Sequence, residues 1–121
     1  MPKPSSGIYK ITNLKNGKIY VGQSQNIYRR REQHFVALRH GSHENHEMQK
    51  DYAADWRYFR WDPIEFCPLS KLNEREHFWI QELHSMAPHG YNLDWVPYAR
   101  KTKTKAELQK RRRVKHYHKT R

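Results

Sequence analysis

GIYKITNLKNGKIYVG, residues 7–22, reads as a β-hairpin. Two runs rich in β-branched and aromatic residues, Gly7 to Asn13 and Lys18 to Gly22, flank a Lys15-Asn16-Gly17 turn in which Asn-Gly supplies positive φ. Side chains alternate faces along a strand, so Tyr9 and Ile11 share one face of the first run, and Lys18, Tyr20 and Gly22 share one face of the second. Two phenols can therefore converge across the hairpin. Tyrosines in hairpins are most often plain cross-strand aromatics, so the pair by itself does not name a chemistry.

The chain continues outward from the hairpin as follows. Met1 to Ser6 is a Pro- and Ser-containing lead expected to be loosely held. After Gly22, polar residues Gln23 to Asn26 offer caps for a helix from about Ile27 to His40, closed by Gly41. Tyr28, Phe35 and Leu38 form its expected apolar stripe, with Arg30 and His34, four apart, on a neighbouring face. A second, short helix is expected within Ser42 to Asp55, where Met48 and Tyr52 are four apart. Trp56 to Leu69 is strand material, and Pro63 makes it either an edge strand or two pieces joined at Asp62-Pro63.

A third helix, capped by Ser70 and running from Lys71 to about His84, carries Leu72, Trp79, Ile80 and Leu83 at helical spacing. Glu76 falls inside that stripe, whereas Glu74 and Glu82 lie outside it. A carboxylate facing a core must be paired, protonated or metal-bound, because burying a bare charge is costly. An ion pair with an arginine and a functional role are both open at this point. Tyr91-Asn92-Leu93, after a turn at residues 86–90, reads as a short strand returning to the sheet, with Asn92 a turn-stabilising amide or a site residue.

Charge is distributed unevenly over the 121 residues. Of the net +12, residues 100–121 carry +10 from eleven Lys or Arg and one acid, Glu107, leaving +2 for the rest. Such a tail suits a polyanion, most naturally nucleic acid, since an anionic membrane would favour an apolar face that the tail lacks. Arg100, Lys101, Lys103, Lys105, Lys110, Arg111, Arg112, Arg113 and Lys115 are the expected DNA contacts. Thr104 to Glu107 matches a capping box, so a basic helix is expected from about Lys105 to Tyr117. The expected division is residues 1–95 as a folded domain and 96–121 as a basic tail.

No apolar run reaches the length of a membrane span and no signal segment opens the chain, so a soluble, intracellular, cytoplasmic protein is expected. Cys67 is the single cysteine, which excludes an internal disulfide and a cysteine-rich zinc site; a small, buried hydrophobe is its expected role. His40, His43 and His46 recur every third residue. Zinc is rejected there because three-residue steps drift around a helix and Gly41 breaks it.

Taken together, Gly7-Ile8-Tyr9, Tyr20-Val21-Gly22, Arg30, His34, His43, Glu76 and Gly90-Tyr91-Asn92 resemble the motifs of the GIY-YIG endonucleases, with Val21 in place of the motif's central Ile. The likeness covers Ser6 to about Leu93, and its wording is similar to the nuclease domains of phage and intron homing endonucleases. It implies an α/β (α+β) fold, a small, central, mostly antiparallel three-stranded sheet flanked by helices. It also implies cleavage of DNA, expected to be double-stranded, with one divalent ion, Mg²⁺ or Mn²⁺.

In that reading Glu76 holds the metal, Arg30 grips non-bridging phosphate oxygens, and Tyr9, helped by Tyr20 and His34, orients or deprotonates water. Gly22 would leave room for a phosphate, and His43 and Asn92 would support. Homing, restriction-type and structure-specific enzymes all remain open. The alternative is a non-catalytic nucleic-acid-binding module on the same fold, whose expected mark, loss of Glu76 or Arg30, is not seen.

Overall fold

The computed structural model describes residues 5–93. The expected basic tail, its helix and its proposed DNA contacts from Arg100 to Lys115 lie outside the described residues. Strand β1 spans Gly7–Asn13 and β2 spans Ile19–Ser24; helices α1, Ile27–His40, and α2, His46–Ala54, follow. Strand β3, Phe59–Phe66, and helix α3, Leu72–Glu82, complete the order, each preceded by a short 3₁₀ turn. The sheet runs β2-β1-β3 and both pairings are antiparallel. This is the expected fold class.

The hairpin loop is longer than an Asn-Gly turn. Asn13 N–H bonds Lys18 O at 2.9 Å and Gly17 N–H bonds Asn13 O at 2.7 Å, so four residues cross over. Gly17 alone takes positive φ there (80°), while the Asn16 side chain accepts from Lys18 N–H. Ser5 and Ser6 are not loose. Ser5 O accepts from Ile27 N–H, and Ser6 exchanges bonds with the Cys67 backbone.

Each face of the sheet has its own core. Ile11, Leu38, Met48, Phe59 and Tyr91 are buried together where α1 and α2 pack, and Ile8, Val21, Leu72 and Ile80 where α3 packs. Cys67 is half-buried against the second cluster. On α1 the buried residues are Ile27, His34 and Leu38. Tyr28 was expected in that stripe but is 44 % exposed, because the helix turns the Ile27 line toward the sheet and leaves Tyr28 at its margin.

Three boundaries differ from expectation for local reasons. Helix α2 starts at His46 because Asn45 caps it, accepting from Met48 N–H. Ser70 caps nothing: Pro68 leads into a 3₁₀ turn closed by Lys71 N–H to Pro68 O, and α3 begins after it. Helix α3 stops at Glu82 because His84 turns left-handed (φ 51°). Strand β3 is a continuous edge strand, and it accommodates Pro63 at a register shift where Ile8 faces Glu65 and Tyr9 faces Pro63.

Residues 91–92 do return to the sheet, but as an edging rather than a strand. Tyr91 N–H bonds Ile19 O, and Asn92 forms an isolated bridge with Met86. The Asn92 amide accepts from Val21 N–H at 2.8 Å and donates to Val21 O at 3.0 Å. One side chain thus satisfies both free backbone groups at the middle of edge strand β2.

Candidate active site

Strand register sets the first contacts. Tyr9 faces Gly22 and Ile11 faces Tyr20, so both phenols project from the sheet face that α1 crosses. Helix α1 brings His34 onto them. The His34 ring meets Tyr9 and Tyr20 edge-on, with centroids 5.5 and 5.4 Å away. A Cβ at residue 22 would fall on the Tyr9 ring and hydroxyl, so the absent side chain of Gly22 makes space for a phenol rather than for an incoming phosphate.

A polar relay with a fixed direction runs behind Tyr9. The Asn45 backbone N–H donates to His43 Nδ1 at 3.0 Å, which places the proton of a neutral His43 on Nε2. His43 Nε2–H then donates to His34 Nδ1 at 2.7 Å, and His34 Nε2–H donates to the Tyr9 hydroxyl at 2.6 Å. Burial holds both imidazoles neutral, taking His34 down to about 3 with Arg30 and coupling to His43 adding, and lowering His43 as well. His34 can stabilise a Tyr9 phenolate. It is not free to take the Tyr9 proton.

Burial raises Tyr9 well above its ordinary 10, with Tyr20 and Glu76 adding and Arg30 opposing. Burial also pushes Tyr20 up to about 12, with Glu76 and Glu44 adding and Arg30 again opposing. Among the described residues, Arg30 is the cation that acts on both phenols and both histidines. Neither phenol is a base at neutral pH without a further positive charge.

Tyr20, His43, Glu44, Asn45, Glu76 and Asn92 line a pocket of about 430 Å³. Tyr20 borders it; Tyr9 does not, and is 1 % exposed. Exposure therefore orders the two phenols the other way from the expectation that put Tyr9 foremost. Glu76, 7 % exposed, is pushed up to about 7 by burial, a Gln23 hydrogen bond opposing. The nearby Arg75 pairs instead with Glu65 at 2.9 Å, and among the described residues no ion pair is formed by Glu76.

A buried carboxylate that borders a pocket and lacks a protein cation fits a metal ion. Among the described residues no three His, Cys, Asp or Glu gather at one point, and Glu76 and Glu44 are the carboxylates that line the pocket.

The fold thus gathers Tyr9, Tyr20, Gly22, Arg30, His34, His43, Glu76 and Asn92 around β2. Sequence reasoning missed four of their neighbours. Asn45 orients His43 through its backbone; its signal was an Asn ahead of a helical run. Gln23 reaches Glu76 and donates to Asn73 Oδ1 at 2.7 Å. Glu44 lines the pocket, and Trp61 stacks on Tyr9 at 5.9 Å. These three have no signal in the linear chain.

Residues 5–92 match the GIY-YIG catalytic domain. The chain belongs to the GIY-YIG family. Intron-associated endonuclease 1 of Enterobacteria phage T4 is 38 % identical over 90 residues, 73 % of this chain and 36 % of that protein. The chain thus spans about a third of the length of this curated GIY-YIG relative.

Two solved structures share the fold. The catalytic domain of homing endonuclease I-TevI is 35 % identical with a TM-score of 0.68, covering 74 % of this chain and 98 % of that one. A mutant of the catalytic domain of intron endonuclease I-TevI gives 35 % and 0.69, covering 77 % and 97 %. The antiparallel sheet and its helices are the GIY-YIG catalytic fold. Among the described residues no helix is long and apolar enough to cross a membrane.

Proposed function

We propose that this chain is a DNA endonuclease domain that hydrolyses phosphodiester bonds with one divalent ion, Mg²⁺ or Mn²⁺, held by Glu76. The carrying observation is the meeting of Tyr20, Arg30 and Glu76, from three elements, beside a pocket that Glu76 borders without a cationic partner among the described residues. Bound there, the ion would supply positive charge against the phosphate and lower the pKa of nearby hydroxyls and water.

The other roles belong to side chains. Arg30 presents a planar fork to non-bridging oxygens, more suited to phosphate than an ammonium would be. Tyr20, at the pocket wall, orients the attacking water and, as the phenolate once the ion's charge has released its own proton to solvent, takes the water's proton; Tyr9, fixed by His34, His43 and the Asn45 backbone, supports from beneath it. Asn92 holds the β2 edge that carries Tyr20. In this reading the chain acts on duplex DNA, and the basic residues 100–121 add sequence-independent phosphate contacts.

The test is cleavage of supercoiled plasmid and of branched junctions with Mg²⁺, Mn²⁺ or chelator. Divalent-dependent cutting is the expected result. Tight DNA binding with no cutting under any ion would leave a binding module on a nuclease fold.

A further inference from the structure

A second cluster borders the proposed site without belonging to it. Trp61 of β3 stacks on Tyr9 with an interplanar angle of 25°, then meets Tyr28 of α1 at 5.6 Å, and Tyr28 meets Phe66 at 6.4 Å. The Arg31 guanidinium lies 5.3 Å from the Trp61 ring centre and 5.9 Å from that of Tyr28. This row of rings runs from the buried phenol of Tyr9 to the open surface, where Tyr28 and Phe66 are 44 % and 47 % exposed. Adjacent large rings left open beside a guanidinium make a contact surface rather than a core.

Charge and position select the occupant. Arg29, Arg30 and Arg31 are consecutive: Arg30 acts on Tyr9 and Tyr20, while Arg31 covers Trp61 and Tyr28. Glu32 touches Arg31 at 3.4 Å on the open surface, where such a pair is weak and easily exchanged for a phosphate. Asp62 is exposed on the same strand as Trp61. Exposed rings that accept the flat face of a base, next to an arginine for its backbone, suit a nucleic-acid strand.

We infer that Tyr28 and Phe66 form a stacking platform for one unpaired nucleobase of the DNA strand whose phosphate lies at the Tyr20–Glu76 pocket, with Arg31 on that strand's backbone. The inference rests on the endonuclease reading and adds a substrate feature to it. A base one or two nucleotides from the cut leaves the helix stack, so a duplex already mismatched there binds more tightly.

The experiment uses the full chain in chelator, so that binding is read without cleavage. Short duplexes carry 2-aminopurine in a single mismatch moved base by base along the sequence. Quenching is expected at one position, and Tyr28→Ala or Phe66→Ala should abolish it and weaken binding of that duplex by roughly 5- to 100-fold. Tyr28→Trp keeps the platform and should keep both signals. Both alanine variants should unfold at the wild-type midpoint, since both rings are open.

Unchanged quenching and affinity in both alanine variants overturns the platform. So does a concentration-dependent dimer that those variants abolish, which would assign the patch to a second copy. Cleavage of the same duplexes by wild type in Mg²⁺ or Mn²⁺ is read separately. Cutting with no effect of either ring overturns the platform alone, and quenching without cutting overturns the endonuclease reading alone.

Discussion

Tyr9 lies across Gly22, filling the space that a Cβ there would need. Gly22→Ala should therefore push the phenol off His34 and destabilise the domain by about 1–3 kcal/mol, the usual cost of overpacking. In a Tyr9→Ala background the same substitution should cost little. A double-mutant cycle by urea unfolding reads the coupling. Equal costs in both backgrounds would show that the contact does not constrain residue 22.

The phenols should separate stability from chemistry. Tyr9→Phe leaves the buried His34 Nε2–H without its acceptor, so it should cost about 1–3 kcal/mol of stability in addition to any loss of rate. Tyr20→Phe keeps its ring and should lower single-turnover cleavage by about a hundredfold or more with a smaller stability change. Wild-type cleavage by Tyr20→Phe would remove Tyr20 from the chemistry. Wild-type stability of Tyr9→Phe would remove the relay.

Glu76 makes metal-free stability fall as pH rises. Its folded pKa of about 7 lies above the ordinary 4.5, so its contribution is whole below 4.5 and is lost as pH passes through about 7. In chelator Glu76→Gln should gain on wild type between about pH 5 and 8. Mg²⁺ or Mn²⁺ should then raise the wild-type Tm at about pH 8 and leave Glu76→Gln unmoved. An ion effect equal in both proteins would sink the metal assignment, and a pH-independent difference would sink the buried carboxylate.

His34 has the opposite sign. Its folded value of about 3 lies below the ordinary 6.5, so the unfolded state binds the extra proton and stability falls as pH drops from 6.5 toward 3. Nitrogen chemical shifts should find His34 and His43 neutral at about pH 7, both protonated on Nε2. A proton on Nδ1 of either ring would reverse the relay and return Tyr9 to a donor.

The tail is tested through salt. Deleting residues 100–121 removes a net +10, and if about half of its cations meet phosphates, the slope of log affinity against log salt should fall by roughly 4 on duplex DNA. Low-salt cleavage should survive, since the candidate site ends at Asn92. An unchanged slope would make the tail a solubilising segment.

The linear sequence determined what depends on short-range pattern. Period-two alternation put Tyr9 with Ile11 and Tyr20 with Gly22, and a 3.6-residue period exposed Glu76 as the carboxylate on an apolar stripe, both as found. Arg30 and His34 at one helical turn were legible for the same reason. The family motif then joined these pieces across the chain.

Tertiary structure alone decided the rest, because burial and partner choice arise between elements distant in sequence. Tyr28 and Ile27 both fit an apolar stripe, and only the docking angle of α1 sent one inward and left the other open. Nothing local says that Asn45 would aim its backbone at His43, fixing the tautomers up to Tyr9. Nor does the chain show which phenol meets the pocket: both tyrosines share a face, but the crossing of α1 buries Tyr9 and leaves Tyr20 at the wall. The raised pKa values have the same origin, since desolvation is a property of the packed site and not of the residue.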